Sequence, residues 1–397
     1  MSNPAKKIDK KTENYFPKNV PEILTMAQHA AFATDVIADP FAGSEPPRSD
    51  NRITNYRRIQ NWENYFLASA VCSVAMAVGT DEEELKMFGS EKVNNGFHFY
   101  SAITGDMFTV LYSNESPCDS GLTNYFFVPQ VIKKAYASFG RECIYVSNEQ
   151  IKRDHRAVMN AIKASIDKEI PVLAWGIGGV KTNSGWNGDM PEGCLIGGYD
   201  GDLLYANLYP GPERMVVDDD GYSAVPNGLD GTHGLFFVGG EIEPSDLRTV
   251  YTRAIEGIPS FLSAAPADGY YFGKAAFEKW ADTLLEESRF ADKSDDEISG
   301  ICWGVHCSPY CNICTSSANQ YMRAAAEVYD IDLAKKLLPL YDKFVSLRQY
   351  IWDDLHGDFF PPAEKFRTRE FREQIADVLR KLGGVCDEIL MVFEENK

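Results

Sequence analysis

Residues 61–78 limit what this chain can fold into more than any other stretch. Trp62, Phe66, Ala70 and Val74 recur at helical spacing. The remaining positions carry Ala68, Ser69, Cys72, Ser73, Ala75 and Ala77. A helix that is small or apolar on every face has no side to give to solvent and must be enclosed by other elements. Gly79 supplies its stop, and a second short helix is expected over residues 81–87.

The elements able to enclose it are legible further on. Pro171-Val172-Leu173-Ala174-Trp175-Gly176 reads as a short apolar strand, and Cys194-Leu195-Ile196-Gly197-Gly198-Tyr199 as a second. Asp200-Gly201-Asp202 has hairpin-turn composition. Leu203-Leu204-Tyr205-Ala206-Asn207-Leu208 is a third strand, closed by Tyr209-Pro210-Gly211. Together they form an antiparallel meander. Upstream, residues 128–139 and 148–167 read as helices and 142–146 as a strand. The aromatic and β-branched content of residues 96–112 predicts one or two strands.

After Pro244 the period turns helical. Phe272, Ala276, Phe277, Trp280 and Leu284 share one face, Ala318, Tyr321, Met322, Ala325 and Val328 another, and Phe371, Ile375, Val378, Leu382 and Ile389 a third. Phe359-Phe360-Pro361-Pro362 breaks the run. The expectation is a bundle of four or five helices. The chain is thus read as α+β in three regions: a polar N-terminal arm over residues 1–50, an α+β domain over 51–248 and a helical domain over 249–397.

Charge and composition exclude some functions. A net charge of −19 repels phosphate backbones, so nucleic acid is not an expected partner. No apolar run is long enough to span a membrane, and the charged first residues do not suggest a signal peptide. The nine cysteines, four of them between Cys302 and Cys314, do not form a regular secreted disulfide pattern. A cytoplasmic setting is expected.

The order of buried helix, further helices and antiparallel meander resembles papain-like enzymes. More narrowly, the chain resembles the butirosin biosynthesis protein H-like family. The resemblance rests on Phe66-Leu67-Ala68-Ser69-Ala70-Val71, Met87-Phe88-Gly89, Asn95-Gly96-Phe97-His98-Phe99-Tyr100, Ile170-Pro171-Val172-Leu173, Gly197-Gly198-Tyr199-Asp200 and Asn207-Leu208-Tyr209-Pro210-Gly211. Gly273-Lys274-Ala275-Ala276-Phe277-Glu278-Lys279-Trp280 and the helix around Met322 extend it toward the C-terminus.

The resemblance implies a papain-like core and thiol chemistry. A Cys at the start of the buried helix would take an acyl group from a carrier-protein thioester and pass it to an amine. A His at the start of the second meander strand would act as base, and an Asp or Asn at the end of the third would orient it. A helix N-terminus and a nearby imidazole make such a thiol a thiolate near neutral pH. This chain departs from that pattern. The Cys position falls on Tyr65 or Phe66 and the His position on Glu192 or Gly193. Only the orienting position is kept, as Asn207. Cys72, two turns into the helix, is the one nearby thiol and reads as a packed core residue rather than a nucleophile.

Other motifs carry weaker signals. Cys307, Cys311 and Cys314 have the spacing of a radical S-adenosylmethionine cluster motif, but helices follow where a barrel is needed. With His306 they could instead supply four zinc ligands. The plainer reading is a cysteine-rich loop leading into a helix near residue 315, and no cofactor is expected. The glycine-rich loop over residues 176–188, flanked by Trp175 and Trp186, is either a ligand-pocket rim or a hairpin connection, and Trp62 is a further pocket candidate. His98 reads as packed, His233 has no partner motif, and Asp218-Asp219-Asp220 reads as a turn closed by Gly221. The leading expectation is a non-catalytic protein that binds a small molecule, a peptide or a carrier domain in the former cleft. The alternatives are an acyltransferase or amide hydrolase with a relocated nucleophile, and a structural or regulatory subunit, with homo-oligomers allowed.

Overall fold

A computed structural model describes residues 48–54, 66–80, 96–115, 129–181, 187–207, 216–226, 228–266, 269–310, 318–355 and 361–396. The protein is α+β, with an antiparallel sheet and C-terminal helices. Its described residues fall into two compact units. One takes those within Leu24–Thr104 and Phe127–Asp246, the other those within Gly105–Phe126 and Leu247–Lys397.

The first described elements are β1 (Asp50–Arg52), α1 (Phe66–Ala77) and α2 (Gly96–Thr104). A 3-10 turn (Asp106–Phe108) and β2 (Leu111–Tyr112) follow and belong to the helical unit. The sheet unit resumes with α3 (Pro129–Ser138), β3 (Arg141–Ser147), α4 (Asn148–Arg153), α5 (His155–Asp167), β4 (Val172–Lys181), β5 (Asn187–Asp200), β6 (Leu203–Asn207), β7 (Ser223–Val225) and β8 (Gly234–Glu241). Its seven strands run in the order β3-β8-β4-β5-β6-β7, and β1 pairs with β5. Every pairing is antiparallel.

Alternation along each strand gives the sheet two buried faces. Val172, Ala174, Cys194, Ile196, Leu204, Ala206, Leu235 and Phe237 form one core with Ile151, Val158, Ile162 and Ile166 of α4 and α5. The other face carries Leu173, Trp175, Leu195 and Phe236 and receives α1. Ten consecutive residues of α1, Phe66 to Ala75, are buried. The buried hydroxyl of Ser73 is satisfied within the helix, donating to the Ser69 carbonyl at 3.2 Å.

The turn between β5 and β6 is the tight hairpin its composition predicts. Asp200 and Leu203 are paired, and Gly201 at φ 55 provides the positive φ that the first central position of a type II′ turn requires. Residues 48–53 dock on the sheet rather than trail from it. Asp167 accepts from the Asn51 side chain at 3.0 Å, from Tyr199 Oη at 2.8 Å and from the Arg48 amide at 3.1 Å. Arg52 pairs with Asp218 and lies 3.9 Å over the Tyr205 ring. The Asp218 carboxylate also caps its own turn through the Asp220 and Tyr222 amides.

Several expectations need correction. Gly96–Thr104 is a buried helix, and the strand expected within residues 96–112 is confined to Leu111–Tyr112. Residues 148–167 form two helices, because Ser147 and Gln150 build a capping box for α4 and the chain restarts at His155. Residues 178–181 and 187–188 are strand, with Val180 opposite Gly188 and Lys181 opposite Asn187, which fits the hairpin alternative for the glycine-rich stretch. The expected helix over residues 81–87 lies outside the described residues.

The helical unit is made of more pieces than expected. It contains α6 (Leu247–Glu256), α7 (Ile258–Leu262), β9 (Tyr271–Phe272), α8 (Gly273–Leu285), α9 (Asp295–Cys302), a π-helical turn (Trp303–Cys307), a short helical turn (Ser308–Tyr310), α10 (Ala318–Glu327), α11 (Asp332–Asp353), α12 (Ala363–Phe366) and α13 (Arg369–Glu394). The stretch from Cys302 to Tyr310 is therefore helical, not a loop, because its apolar side chains are buried. β2 pairs with β9, and Tyr112 stacks on Trp280 at 5.7 Å. Arg372 is fully buried. It donates to the carbonyls of Leu284, Phe366 and Arg367, pairs with Glu287 at 2.8 Å and lies over the Phe290 ring. Among the described residues, no helix is long and apolar enough to cross a membrane.

Candidate functional site

The start of α1 meets the middle of the sheet at one point. Gly193 sits in β5 opposite Trp175 of β4, and the next residue on its face, Leu195, sits opposite Asn207 at the end of β6. Leu67 of α1 occupies the space above Gly193. A Cβ added at Gly193 would come within 2.7 Å of Leu67 Cδ2 and 3.2 Å of its Cα. The helix backbone thus rests on the strand with nothing between. That contact is possible only because position 193 has no side chain.

Phe66, the first described residue of α1, is buried at 7% exposure. Asn207 has the same low exposure. The fold therefore brings together three of the positions singled out in the sequence: the helix start at Phe66, Gly193, and Asn207. Glu192 is the neighbour of Gly193 in β5. Tyr65, Trp62 and Trp186 lie outside the described residues.

Cys72 is fully buried on α1, toward α2. Burial holds the Tyr100 phenol well above its ordinary range, and Cys72 beside it adds to the effect. Cys72 is thus a core neighbour of Tyr100, with no surface open to a reagent or substrate.

Trp175 is buried rather than exposed at a rim. It is 1% exposed, and its indole lies 4.4 Å from the His233 ring. The His233 amide donates to the Trp175 carbonyl at 2.8 Å. His233 is half-buried just ahead of β8, one strand away from Gly193 across β4. Sequence reading missed this imidazole because its link to the site is a strand pairing between residues far apart in the chain. The only local hint was Gly231-Thr232-His233-Gly234, a turn composition beside an apolar strand.

Of the four side chains considered as metal ligands, His306 and Cys307 are described. His306 is enclosed by the rings of Trp280, Tyr310 and Phe366, at 5.5, 6.0 and 5.6 Å. The Cys307 Sγ approaches Cys302 instead, at 3.5 Å. The π turn brings residues five apart onto one side of the helix. Contact with Cys307, together with burial, pushes the Cys302 thiol far above its ordinary pKa. Cys311 and Cys314 lie outside the described residues. Among the described residues, no three His, Cys, Asp or Glu side chains gather in a metal-binding group.

His98 is packed in α2, with its ring 3.9 Å from that of Phe97. Asp218 is held by Arg52 and the backbone of its own turn. No model of a known protein family matches the chain, and no curated protein matches it.

Proposed function

We propose that the protein has a papain-like core related to the butirosin biosynthesis protein H-like group, that it lacks the Cys–His pair, and that it binds a ligand instead of turning it over. The observation that carries this reading is the contact of Leu67 with Gly193. An imidazole at position 193 would need the space that the α1 backbone fills. Among the described residues, Phe66 offers no nucleophile at the helix start, and position 193 holds no imidazole that Asn207 could orient. Acyl transfer from a thioester needs a thiolate and a base within hydrogen-bond reach. Cys72 is sealed inside α1 and does not meet that need.

In this reading the ligand is a small molecule, a peptide or the arm of a carrier domain, held in a cytoplasmic setting. It would contact the end of β6 at Asn207 and the α1 start without forming a covalent bond.

The test is competitive labelling of the folded protein with iodoacetamide at neutral pH, read by mass spectrometry of each cysteine peptide. Cys72 and the other buried thiols are expected to label more slowly than free cysteine, and only at the rate of unfolding. One cysteine labelling faster than free thiol at neutral pH, and slowing when Asn207 is changed to Ala, would overturn the reading in favour of a working thiol enzyme.

A further inference from the structure

Among the described residues, Arg348 of the helical unit is a buried cation with no paired carboxylate. Arg348 lies on α11 at 9% exposure. Its guanidinium carbon sits 5.0 Å from the centroid of the Tyr310 ring. The Nε is closed off from solvent with no acceptor, whereas neither Nη is closed off in this way. Among the described residues no carboxylate pairs with it. Asp353, one turn further on, takes the amide of Gln349 instead. The contrast within the same unit is Arg372, which is fully buried and meets three carbonyls and Glu287.

A buried guanidinium without an anion is costly. Packing on one tyrosine ring offsets only part of that cost. Trp352 stands one helical turn from Arg348 on the same face. Its ring stacks on Tyr310 at 6.3 Å and 28°, and the residue is 42% exposed. Arg348, Tyr310 and Trp352 therefore form a layered patch that is cationic at its floor and aromatic at its mouth. Tyr310 is fixed in the middle by donating to the Arg348 carbonyl at 3.2 Å.

We infer that this patch binds a monocarboxylate with an apolar or aromatic body. The two Nη groups offer the fork that a carboxylate accepts, and the Trp352 face offers a surface for the body to lie on. Charge decides against a phosphate dianion: the chain carries a net −19, and exposed Asp353 and Asp354 end the same helix. The patch belongs to the helical unit and the α1–β5 contact to the sheet unit, so failure of this inference would leave the proposed function untouched.

The experiment uses the full chain, with benzoate as probe and inorganic phosphate at matched ionic strength as comparison. Melting temperature and tryptophan fluorescence are both read. Benzoate is expected to raise the Tm saturably, as a ligand of the folded state must, and to change the fluorescence, while phosphate does neither. Arg348→Met should lose both responses and melt, without ligand, at or above the wild-type temperature, because it removes an unpaired buried charge. Trp352→Ala, a surface change, should keep the fold and weaken the response. The inference falls if Arg348→Met melts lower or fails to fold, since Arg348 would then have structural partners. It also falls if benzoate has no effect on the wild type, if phosphate acts as strongly, or if the variants respond unchanged.

Discussion

Gly193 shows how one missing side chain can fix both a packing geometry and a chemical outcome. With the Leu67 backbone 3.2 Å from where a Cβ would stand, even a methyl group forces the helix away from the strand. Gly193→Ala is expected to destabilise the fold by about 1–3 kcal/mol through overpacking, measured by urea denaturation with an unchanged m-value. A neutral or stabilising result would mean that α1 does not sit on β5 as described. Gly193→His should cost more, so restoring the imidazole alone would unfold the site before it activated it. In the sequence this position was visible only as one of two residues where a His was expected. Whether it could hold a side chain depends on Leu67, which lies far away in the chain, so no local pattern could report it. The same holds for His233, whose neighbour Trp175 is reached only through strand pairing. Asn207 and the α1 start were legible because each ends a segment with a clear period.

At the scale of elements, what could be read from the sequence depended on contrast between faces. α3, α5 and the long C-terminal helices have one apolar and one polar side, and β3 to β6 are bounded by turn residues; these follow the pattern. Gly96–Thr104 does not. Phe97, His98, Phe99 and Tyr100 are all buried, so the helix has no polar face, and aromatic content favoured a strand that tertiary packing then overrode. The π turn at Trp303–Cys307 has no sequence signature, since it differs from α-helix by a single residue of register. Caps, in contrast, are written locally. At the start of α4 the Ser147 hydroxyl accepts from the Gln150 amide at 3.3 Å, and the Gln150 side chain accepts from the Ser147 amide at 3.1 Å. Both residues are buried. Ser147→Ala should therefore cost about 1–2 kcal/mol, read as a lower denaturation midpoint. A loss below a few tenths of that would show that α4 does not depend on its cap.

Across the whole molecule, buried tyrosines recur in both units. Burial is the main reason that Tyr100 and Tyr136 in the sheet unit, and Tyr251 and Tyr321 in the helical unit, have phenol pKa values above the ordinary 10.0. Above pH 10 the unfolded chain loses phenolic protons that the folded chain keeps, so the unfolded state binds fewer protons and stability falls as pH rises. Below pH 10 this contribution is fully present. An alkaline titration should show the exposed tyrosines ionising first, and the buried ones only in step with the loss of circular dichroism. Ionisation of every tyrosine with the dichroism intact would contradict the burial. The broad class was legible at this scale, because helix-period and strand-period segments occupy different parts of the chain. The assignment of Gly105–Phe126 to the helical unit was not, because it depends on β2 pairing with β9 across well over a hundred residues. That pairing has a consequence for biosynthesis. As the polypeptide leaves the ribosome, Leu111 and Tyr112 emerge long before Tyr271 and Phe272. The large sheet can close while this early segment is still waiting, so the segment stays without its strand partner until Tyr271 and Phe272 have been made.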